Sequence, residues 1–247
     1  MAILHRATLE PSKPDLVRSW LPHQDWIDVP AGATIEPLGA FRFDDPDGQV
    51  GIETHLVEMI SPDGTRTVVH VPLTYRNEEL DGAGSALVGT LEHSVLGTRW
   101  VYDAPADPVY VAEVLRTVIE QESSVREYVD TPDGPEEREP SATAWGLLGS
   151  PLGGESGAGG IIGAGTGPQD SAEMHPRIAH HYVPHTVDGV TSIEVGGYRL
   201  AVSRFPLVTS PDSGAGTVVG SPMQTLGSLL GEWPGTAGGT DLVALLG

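Results

Sequence analysis

The fold of this chain is decided by residues 38–76, which read LGAFRFDDPDGQVGIETHLVEMISPDGTRTVVHVPLTYR. Apolar and polar residues alternate along three runs, 38–44, 49–60 and 65–76, and a Pro-Asp-Gly turn separates each run from the next. Proline presets φ in such a turn and glycine tolerates a positive φ, so the chain can reverse direction sharply. The stretch therefore predicts three antiparallel strands arranged as a meander.

Two further strands and two helices are predicted around this meander. Residues 86–93 and 97–103 have strand-like composition, and they extend the sheet to about five strands. Ser12 is a suitable N-cap for a short helix, and Asp107 caps a second helix that has Pro108 at its first position. Helices packed on one face of an antiparallel sheet give an α+β domain.

Composition divides the chain into three regions. Residues 1–130 carry the α+β domain. Residues 131–177 contain a Pro- and Gly-rich charged hinge followed by a glycine-rich segment, and we predict a flexible loop there. Residues 178–247 form a small β-rich C-terminal part, in which 190–195 and 198–205 flank Gly-Gly and predict a hairpin.

Charge and cysteine content exclude several classes of function. The 34 acidic and 13 basic side chains give a formal net charge of −21, which disfavours nucleic acid and anionic membranes as partners. The absence of cysteine excludes disulfides and thiolate chemistry. No apolar run reaches the roughly 18 residues of a transmembrane helix, and the first residues are too short for a signal-peptide core. We therefore expect a cytoplasmic protein.

Two patterns that suggest cofactors fail on inspection. The glycine-rich stretch 157–167 ends at Pro168 and is followed by further proline, which is incompatible with the helix of a dinucleotide-binding fingerprint. Four histidines fall within eleven residues: His175, His180, His181 and His185. A proline interrupts this cluster and only one carboxylate is nearby, so adventitious metal binding is favoured over a resident site. We expect no metal and no cofactor.

A family resemblance covers the first half of the chain. Its four segments occur in order within residues 1 to about 125: MAILHRATLEPSKPDLVRSWLP, GAFRFDDPDGQVGIETHLV, VHVPLTYRNEELDGA and LVGTLEHSVLGTRWVYDAPADPVYV. Together they resemble the N-terminal cap domain of maltokinase. Maltokinases of actinobacteria transfer a phosphoryl group from ATP to maltose, between trehalose and α-glucan synthesis. The resemblance implies a cystatin-like curved sheet with flanking helices.

The rest of the chain departs from a maltokinase. A kinase body needs a phosphate-binding lysine, a catalytic aspartate and metal-holding residues. The only lysine is Lys13, in the first helix, and residues 131–247 are too few for two kinase lobes. The resemblance therefore implies a free-standing cap without catalytic residues, and we reject both kinase and glucan-branching activity. A third hypothesis, an unrecognised hydrolase, is supported only by the presence of histidine and aspartate residues.

Our leading hypothesis is a non-catalytic interaction or regulatory module that acts near trehalose, maltose and glycogen metabolism. Its partner would be a sugar-metabolism enzyme such as trehalose synthase or maltokinase, and strand edges leave self-association open. Aromatic and arginine side chains dominate interface energies. The candidate anchors are Tyr75, Arg76, Arg99 and Trp100.

The alternative hypothesis is a binding protein for a sugar or sugar phosphate, with its pocket on the curved sheet. Histidine, arginine and carboxylate groups that converge in a concave site would favour this alternative, and a filled core would exclude it. The candidate pocket residues are His5, Arg6, Glu53, His55 and His93.

Overall fold

The computed structural model describes most of the chain. The described residues are 2–4, 7–131, 134–149, 181–206, 224–236 and 238–247. They form an α+β fold with two α-helices and three β-sheets, which confirms the predicted fold class.

The first sheet is a curled, six-stranded antiparallel sheet with the strand order β2-β6-β7-β5-β4-β3. Its strands are β2 (Leu9–Glu10), β3 (Thr34–Asp44), β4 (Gly51–Ile60), β5 (Arg66–Arg76), β6 (Leu87–His93) and β7 (Gly97–Asp103). Strands β3, β4 and β5 pair in sequence, so the predicted meander is confirmed. Both Pro-Asp-Gly turns close as expected, and their glycines Gly48 and Gly64 have φ values of +67° and +88°.

The two helices begin where their caps predict. Helix α1 (Lys13–Trp20) begins after Ser12, whose hydroxyl accepts from the backbone N–H of Asp15. Helix α2 (Pro108–Glu120) begins after Asp107, whose carboxylate accepts from the backbone N–H of Val109. The helices lie on opposite faces of the first sheet, and the prediction that both cover one face was wrong.

Apolar side chains on both faces of the sheet explain this arrangement. Val57 and Val69 pack with α1, whereas Ile52 and Leu56 pack with α2. We call these the α1 face and the α2 face. A β-bulge between Pro37 and Gly39 reverses the alternation within β3, which turns the following phenylalanines toward the α2 face.

The second sheet is also six-stranded and antiparallel, with the order β10-β14-β15-β13-β12-β11. Its strands are β10 (Thr143–Leu148), β11 (His185–Val187), β12 (Val190–Val195), β13 (Tyr198–Ser203), β14 (Thr225–Glu232) and β15 (Thr240–Leu246). A third, smaller sheet consists of β1 (Ala2–Leu4), β8 (Glu127–Thr131) and β9 (Gly134–Arg138), in which β1 runs parallel to β8.

One hydrophobic core joins the first and second sheets. The inner side of α2, through Val111, Val114 and Val118, packs in the same cluster as Phe41 of the first sheet and Leu229 of the second. Strands β9 and β10 lie within the range predicted as hinge and loop, and the remaining part of that range, 150–177, lies outside the described residues. The three-region division of the chain stays a prediction.

Gly146 of β10 is required by the close approach of this strand to α2. A Cβ atom at this position would lie 1.9 Å from the carbonyl oxygen of Thr117. The backbone N–H of Gly146 also donates to the carbonyl of Glu122 at 2.8 Å. The glycine therefore allows the second sheet to dock on the end of the helix.

A buried arginine ties the second sheet to the first. Arg204, just after β13, has no exposed surface, and its Nη atoms donate to both carboxylate oxygens of Asp103, at the end of β7. Its Nε donates to the hydroxyl of Thr191 at 2.7 Å, and its guanidinium lies 4.8 Å from the ring centroid of Trp26. Nearby, the backbone N–H of His70 donates to the carbonyl of Arg204. We call these residues the Arg204 cluster.

Candidate ligand pocket

A cavity of about 620 Å³ opens on the α1 face of the first sheet. Its walls come from the segment that precedes α1, the turn between β3 and β4, and the hairpin formed by β6 and β7. The side chains that carry chemistry there are Lys13, Arg42, Asp44, Asp45, Tyr75, His93 and Arg99, with Leu9, Leu91 and Leu96 as apolar neighbours.

Strand alternation places a polar layer beside this cavity. Glu53 and His55 are two residues apart on β4, so both point to the α1 face. The phenol oxygen of Tyr75 lies 3.0 Å from Nε2 of His55, and that nitrogen is 3.8 Å from a carboxylate oxygen of Glu53. Lys13, at the start of α1, forms an ion pair with Glu53 and lies 5.0 Å from the centre of the Tyr75 ring. We call these four residues the pocket floor.

The environment of the floor fixes its protonation states. Burial alone would raise the pKa of Glu53, but the charges of Lys13, His55 and Arg42 lower it to about 2. Burial lowers the pKa of His55, although Glu53 opposes this shift. Burial also raises the pKa of Tyr75 well above its ordinary value, and Glu53 adds to this effect. At neutral pH the floor therefore presents a carboxylate, a neutral imidazole and an intact phenol.

Arg42 and Arg99 line the cavity without a carboxylate partner. Among the described residues, neither guanidinium forms an ion pair, and the Nε atom of each is buried without a hydrogen-bond partner. One Nη atom of Arg99 donates to the carbonyl of Leu96 at 3.0 Å. A buried N–H group without a partner costs free energy, so both side chains favour an acceptor in the cavity.

The aspartates of the cavity wall are engaged elsewhere. The carboxylate of Asp45 accepts from the backbone N–H groups of Asp47, Gln49 and Val50 at 2.8–3.1 Å, which stabilises the turn between β3 and β4. Asp44 also has an interaction of its own. Among the described residues Asp45 therefore forms no ion pair with the positive groups of the cavity, although its charge remains in the cavity wall.

The predicted pocket residues are partly brought together. His93 lines the cavity, whereas Glu53 and His55 lie in the buried layer beside it, in contact with the lining residues Lys13 and Tyr75. His5 and Arg6 lie outside the described residues. Sequence reasoning missed Arg42 and Lys13 as pocket residues. Arg42 could have been found, because it stands directly across from Glu53 in the β3–β4 register.

The predicted partner anchors have different environments. Tyr75 is buried in the floor, and Arg76 is held by two hydrogen bonds to the buried carboxylate of Asp107, at 2.6 and 2.7 Å. Arg99 lies in the cavity wall. Trp100 is partly exposed and its indole N–H donates to Glu79 at 3.3 Å. Arg99 and Trp100 are therefore the members of this set with exposed surface on the β6–β7 hairpin.

A second cavity of about 500 Å³ lies on the second sheet, beside β11, β12 and β13. His181 and His185 line it, whereas His175 and His180 lie outside the described residues. Its two charged side chains, Glu194 and Arg199, form an ion pair with each other at 2.6 Å. No cluster of three or more metal-binding side chains occurs in the part of the chain that the structure describes.

Comparison with known families agrees with the resemblance seen in the sequence. Residues 20–107 match the family described as the maltokinase N-terminal cap domain. This range begins at the last residue of α1 and ends at the cap of α2, so it contains β3 to β7 of the first sheet and two of the three walls of the cavity. No curated protein matches the chain. Neither described helix has the length and apolar character needed to cross a membrane.

Proposed function

We propose that this maltokinase-cap-like chain is a non-catalytic module that binds a small carbohydrate ligand in the cavity on the α1 face of its first sheet. The observation that carries the proposal is a cavity of about 620 Å³ that lies beside the pocket floor and is lined by Arg42 and Arg99, whose buried Nε atoms have no hydrogen-bond partner among the described residues. Cavities of roughly 300–1,000 Å³ with a few convergent polar groups are typical small-molecule sites. The setting of such a ligand would be trehalose, maltose and glycogen metabolism, as the family suggests.

The lining suits a sugar. Arginine presents a planar set of donors that hydrogen-bond to hydroxyl or oxyanion acceptors. Tyr75 and the leucines Leu91 and Leu96 offer apolar surface to the carbon atoms of a ring. The cavity therefore combines directional donors with apolar contact, which a polyhydroxylated ligand requires.

The floor supports a binding role over a catalytic one. A general acid or base works best when its pKa lies near the operating pH. The pKa of Glu53 is about 2 and its carboxylate is held by Lys13, while burial keeps the phenol of Tyr75 protonated. These groups are fixed in one protonation state, so they position a ligand without exchanging protons with it.

Filling the cavity tests the proposal. Gly51 lines the cavity on the α1 face, and a Cβ atom there would make only an ordinary contact of 3.4 Å with Tyr75. Leucine at this position would project into the ligand volume. Gly84 is a matched control, because a Cβ atom there meets nothing within 4 Å.

Isothermal titration calorimetry should be run on the whole chain with glucose, maltose, trehalose and glucose 1-phosphate. We expect at least one of these ligands to bind with a millimolar or lower dissociation constant. Gly51→Leu should abolish that binding, and Gly84→Leu should retain it. No binding of any ligand, or equal binding by both variants, would overturn the proposal.

A second candidate function, docking to a sugar-metabolism enzyme, is favoured by the tip of the β6–β7 hairpin. Val95 and Leu96 are 61% and 50% exposed there, and Arg99 and Trp100 follow on β7. Exposed apolar residues next to arginine and tryptophan are typical of protein interfaces. We propose trehalose synthase or maltokinase as the partner.

Binding to each purified enzyme tests this second candidate. The double variant Val95→Ser/Leu96→Ser should weaken binding at least about tenfold, since it removes apolar contact area. Leu147→Ser is the matched control, because Leu147 is similarly exposed on β10 of the second sheet. If neither enzyme binds the unaltered chain, or if both variants bind equally, this surface is not the interface.

A further inference from the structure

We infer that the ligand of this cavity is a phosphorylated sugar, whose phosphate is held by Arg42 and Arg99. This inference rests on the proposed ligand-binding function and narrows it to an anionic ligand. It follows from the distribution of charge around the cavity, from the hydrogen-bonding state of the two arginines and from the volume that remains for a sugar.

The distribution of ion pairs makes these two arginines unusual. Apart from Arg138, every other lysine and arginine that the structure describes forms an ion pair with a carboxylate. With 34 acidic side chains in the sequence, internal partners are abundant. Among the described residues Arg42 and Arg99 form no such ion pair, and both line the same cavity, so both are placed to meet an anion bound there.

The hydrogen-bonding state of the arginines points in the same direction. The Nε atoms of Arg42 and Arg99 are buried without an acceptor in the described part of the chain. Phosphate oxygens match the planar donor geometry of guanidinium and accept more than one such bond. A phosphate bound in this cavity would offer charged acceptors to these guanidinium groups, whereas a neutral hydroxyl offers a weaker acceptor.

The floor does not compete with this anion. The carboxylate of Glu53 is paired with Lys13, and Arg42 stabilises its charge from the neighbouring strand. The carboxylate of Asp45 is occupied by three backbone N–H groups. A cavity of about 620 Å³ has room for a hexose beside the phosphate.

The test compares glucose 1-phosphate, glucose and inorganic phosphate by calorimetry at constant ionic strength. We expect glucose 1-phosphate to bind at least about tenfold more tightly than glucose, because a charged hydrogen-bonding partner adds roughly this factor. Inorganic phosphate should compete with glucose 1-phosphate for the same site. Measurements on the unaltered chain do not depend on the folding of any variant.

Two substitutions test whether Arg42 and Arg99 bind the phosphate group of the ligand. Arg42→Gln and Arg99→Gln should each weaken glucose 1-phosphate binding about tenfold and leave glucose binding within about twofold. Arg138→Gln removes the same charge from an exposed arginine of β9 that forms no ion pair with any described residue, and it should leave both affinities unchanged.

The outcomes separate the two proposals. Glucose binding as tight as glucose 1-phosphate binding, unaffected by Arg42→Gln, would overturn the anionic ligand and leave the sugar pocket intact. Equal losses in Arg138→Gln and Arg42→Gln would also overturn it, because they would show only long-range attraction. The absence of binding for all three probes and for the neutral disaccharides would overturn both proposals.

Discussion

The guanidinium of Arg204 and the Nε atom of Arg42 are both buried, but among the described residues only the side chain of Arg204 forms an ion pair. The guanidinium of Arg204 donates to Asp103 and Thr191 and stacks on Trp26, so each of its nitrogens has an acceptor. Arg42 has no ion pair among the described residues, and its buried Nε has no acceptor. Arg204 follows a strand of the second sheet and Arg42 lies on a strand of the first, and the two side chains differ in whether the described residues complete their hydrogen bonding.

This difference separates a structural charge from a charge that is available for binding. A buried ion pair whose donors are all satisfied fixes the elements that carry it, here β13 and β7, in one arrangement. A desolvated donor without an acceptor adds no such constraint, and under our proposal a ligand supplies the missing acceptor. The Arg204 cluster should therefore determine stability, and the cavity arginines should determine affinity.

Breaking the Arg204 cluster should have the largest effect. Arg204→Leu leaves the carboxylate of Asp103 without its guanidinium at a site that is 13% exposed. The free energy of unfolding should fall by about 3–5 kcal/mol, the usual cost of an uncompensated buried charge. Urea denaturation of the whole chain measures this loss.

Arg199→Leu is the control on the same strand, because the Arg199–Glu194 pair lies at the surface, and its removal should cost less than about 1 kcal/mol. The double variant Arg204→Leu/Asp103→Leu should recover part of the stability lost by the single variant. Equal losses at Arg204 and Arg199 would contradict a structural role for the buried pair.

Acid should weaken the same cluster through His70. Burial lowers the pKa of His70 to about 3, and the charge of Arg204 adds to this shift, although a hydrogen bond to the carbonyl of Ser203 opposes it. Between the unfolded-state pKa near 6.5 and the folded-state pKa near 3, the unfolded chain binds the proton and the folded chain does not. Stability therefore decreases as the pH falls through this window.

The expected size of this loss is about 2 kcal/mol between pH 7 and pH 5. His70→Asn retains a side-chain donor for Ser203 and has no group that titrates in this range. The unfolding free energy of the unaltered chain should decrease by about that amount more than that of the variant. Parallel pH dependence of the two proteins would mean that His70 does not remain neutral in the folded state.

The smallest effect on stability is expected at the cavity. Arg42→Gln removes a side chain without an ion pair, so the free energy of unfolding at neutral pH should change by less than about 1 kcal/mol. The charge of Arg42 does help to lower the pKa of Glu53, whose stabilising contribution is lost as the pH falls from about 4.5 to about 2. Arg42→Gln should therefore lose some stability between about pH 4.5 and about pH 2. A large loss of stability at neutral pH would contradict the distinction between Arg42 and the Arg204 cluster.

Local signals predicted most of the first sheet. The Pro-Asp-Gly turns, the alternation along 38–76 and the helix caps Ser12 and Asp107 each act over a few residues, and the observed elements begin and end close to the predicted positions. The bulge between Pro37 and Gly39 carries no comparable signal. Because this bulge and the reversal of side-chain direction that it causes were not predicted, the sequence did not show that α1 and α2 pack on opposite faces of the sheet.

Contacts between distant residues could not be predicted. Arg204 and Asp103 are separated by 101 residues, and their meeting depends on how two sheets dock. Arg42 and Arg99 share a cavity only because the register across the two intervening strands, β4 and β5, places both side chains on the same face of the sheet. Glu53 and His55 were among the predicted pocket residues, but the role of Lys13 depends on the position of α1, which the sequence did not give.

The pocket floor contains a side chain that can be labelled selectively. Lys13 is the only lysine of the sequence and its side chain is 23% exposed. Reductive methylation with isotopically labelled formaldehyde would retain its charge and place a single side-chain NMR probe beside the cavity. Because no other lysine responds to the reagent, the chemical shift of that probe would report occupancy directly, without a fluorescent tag or an engineered residue.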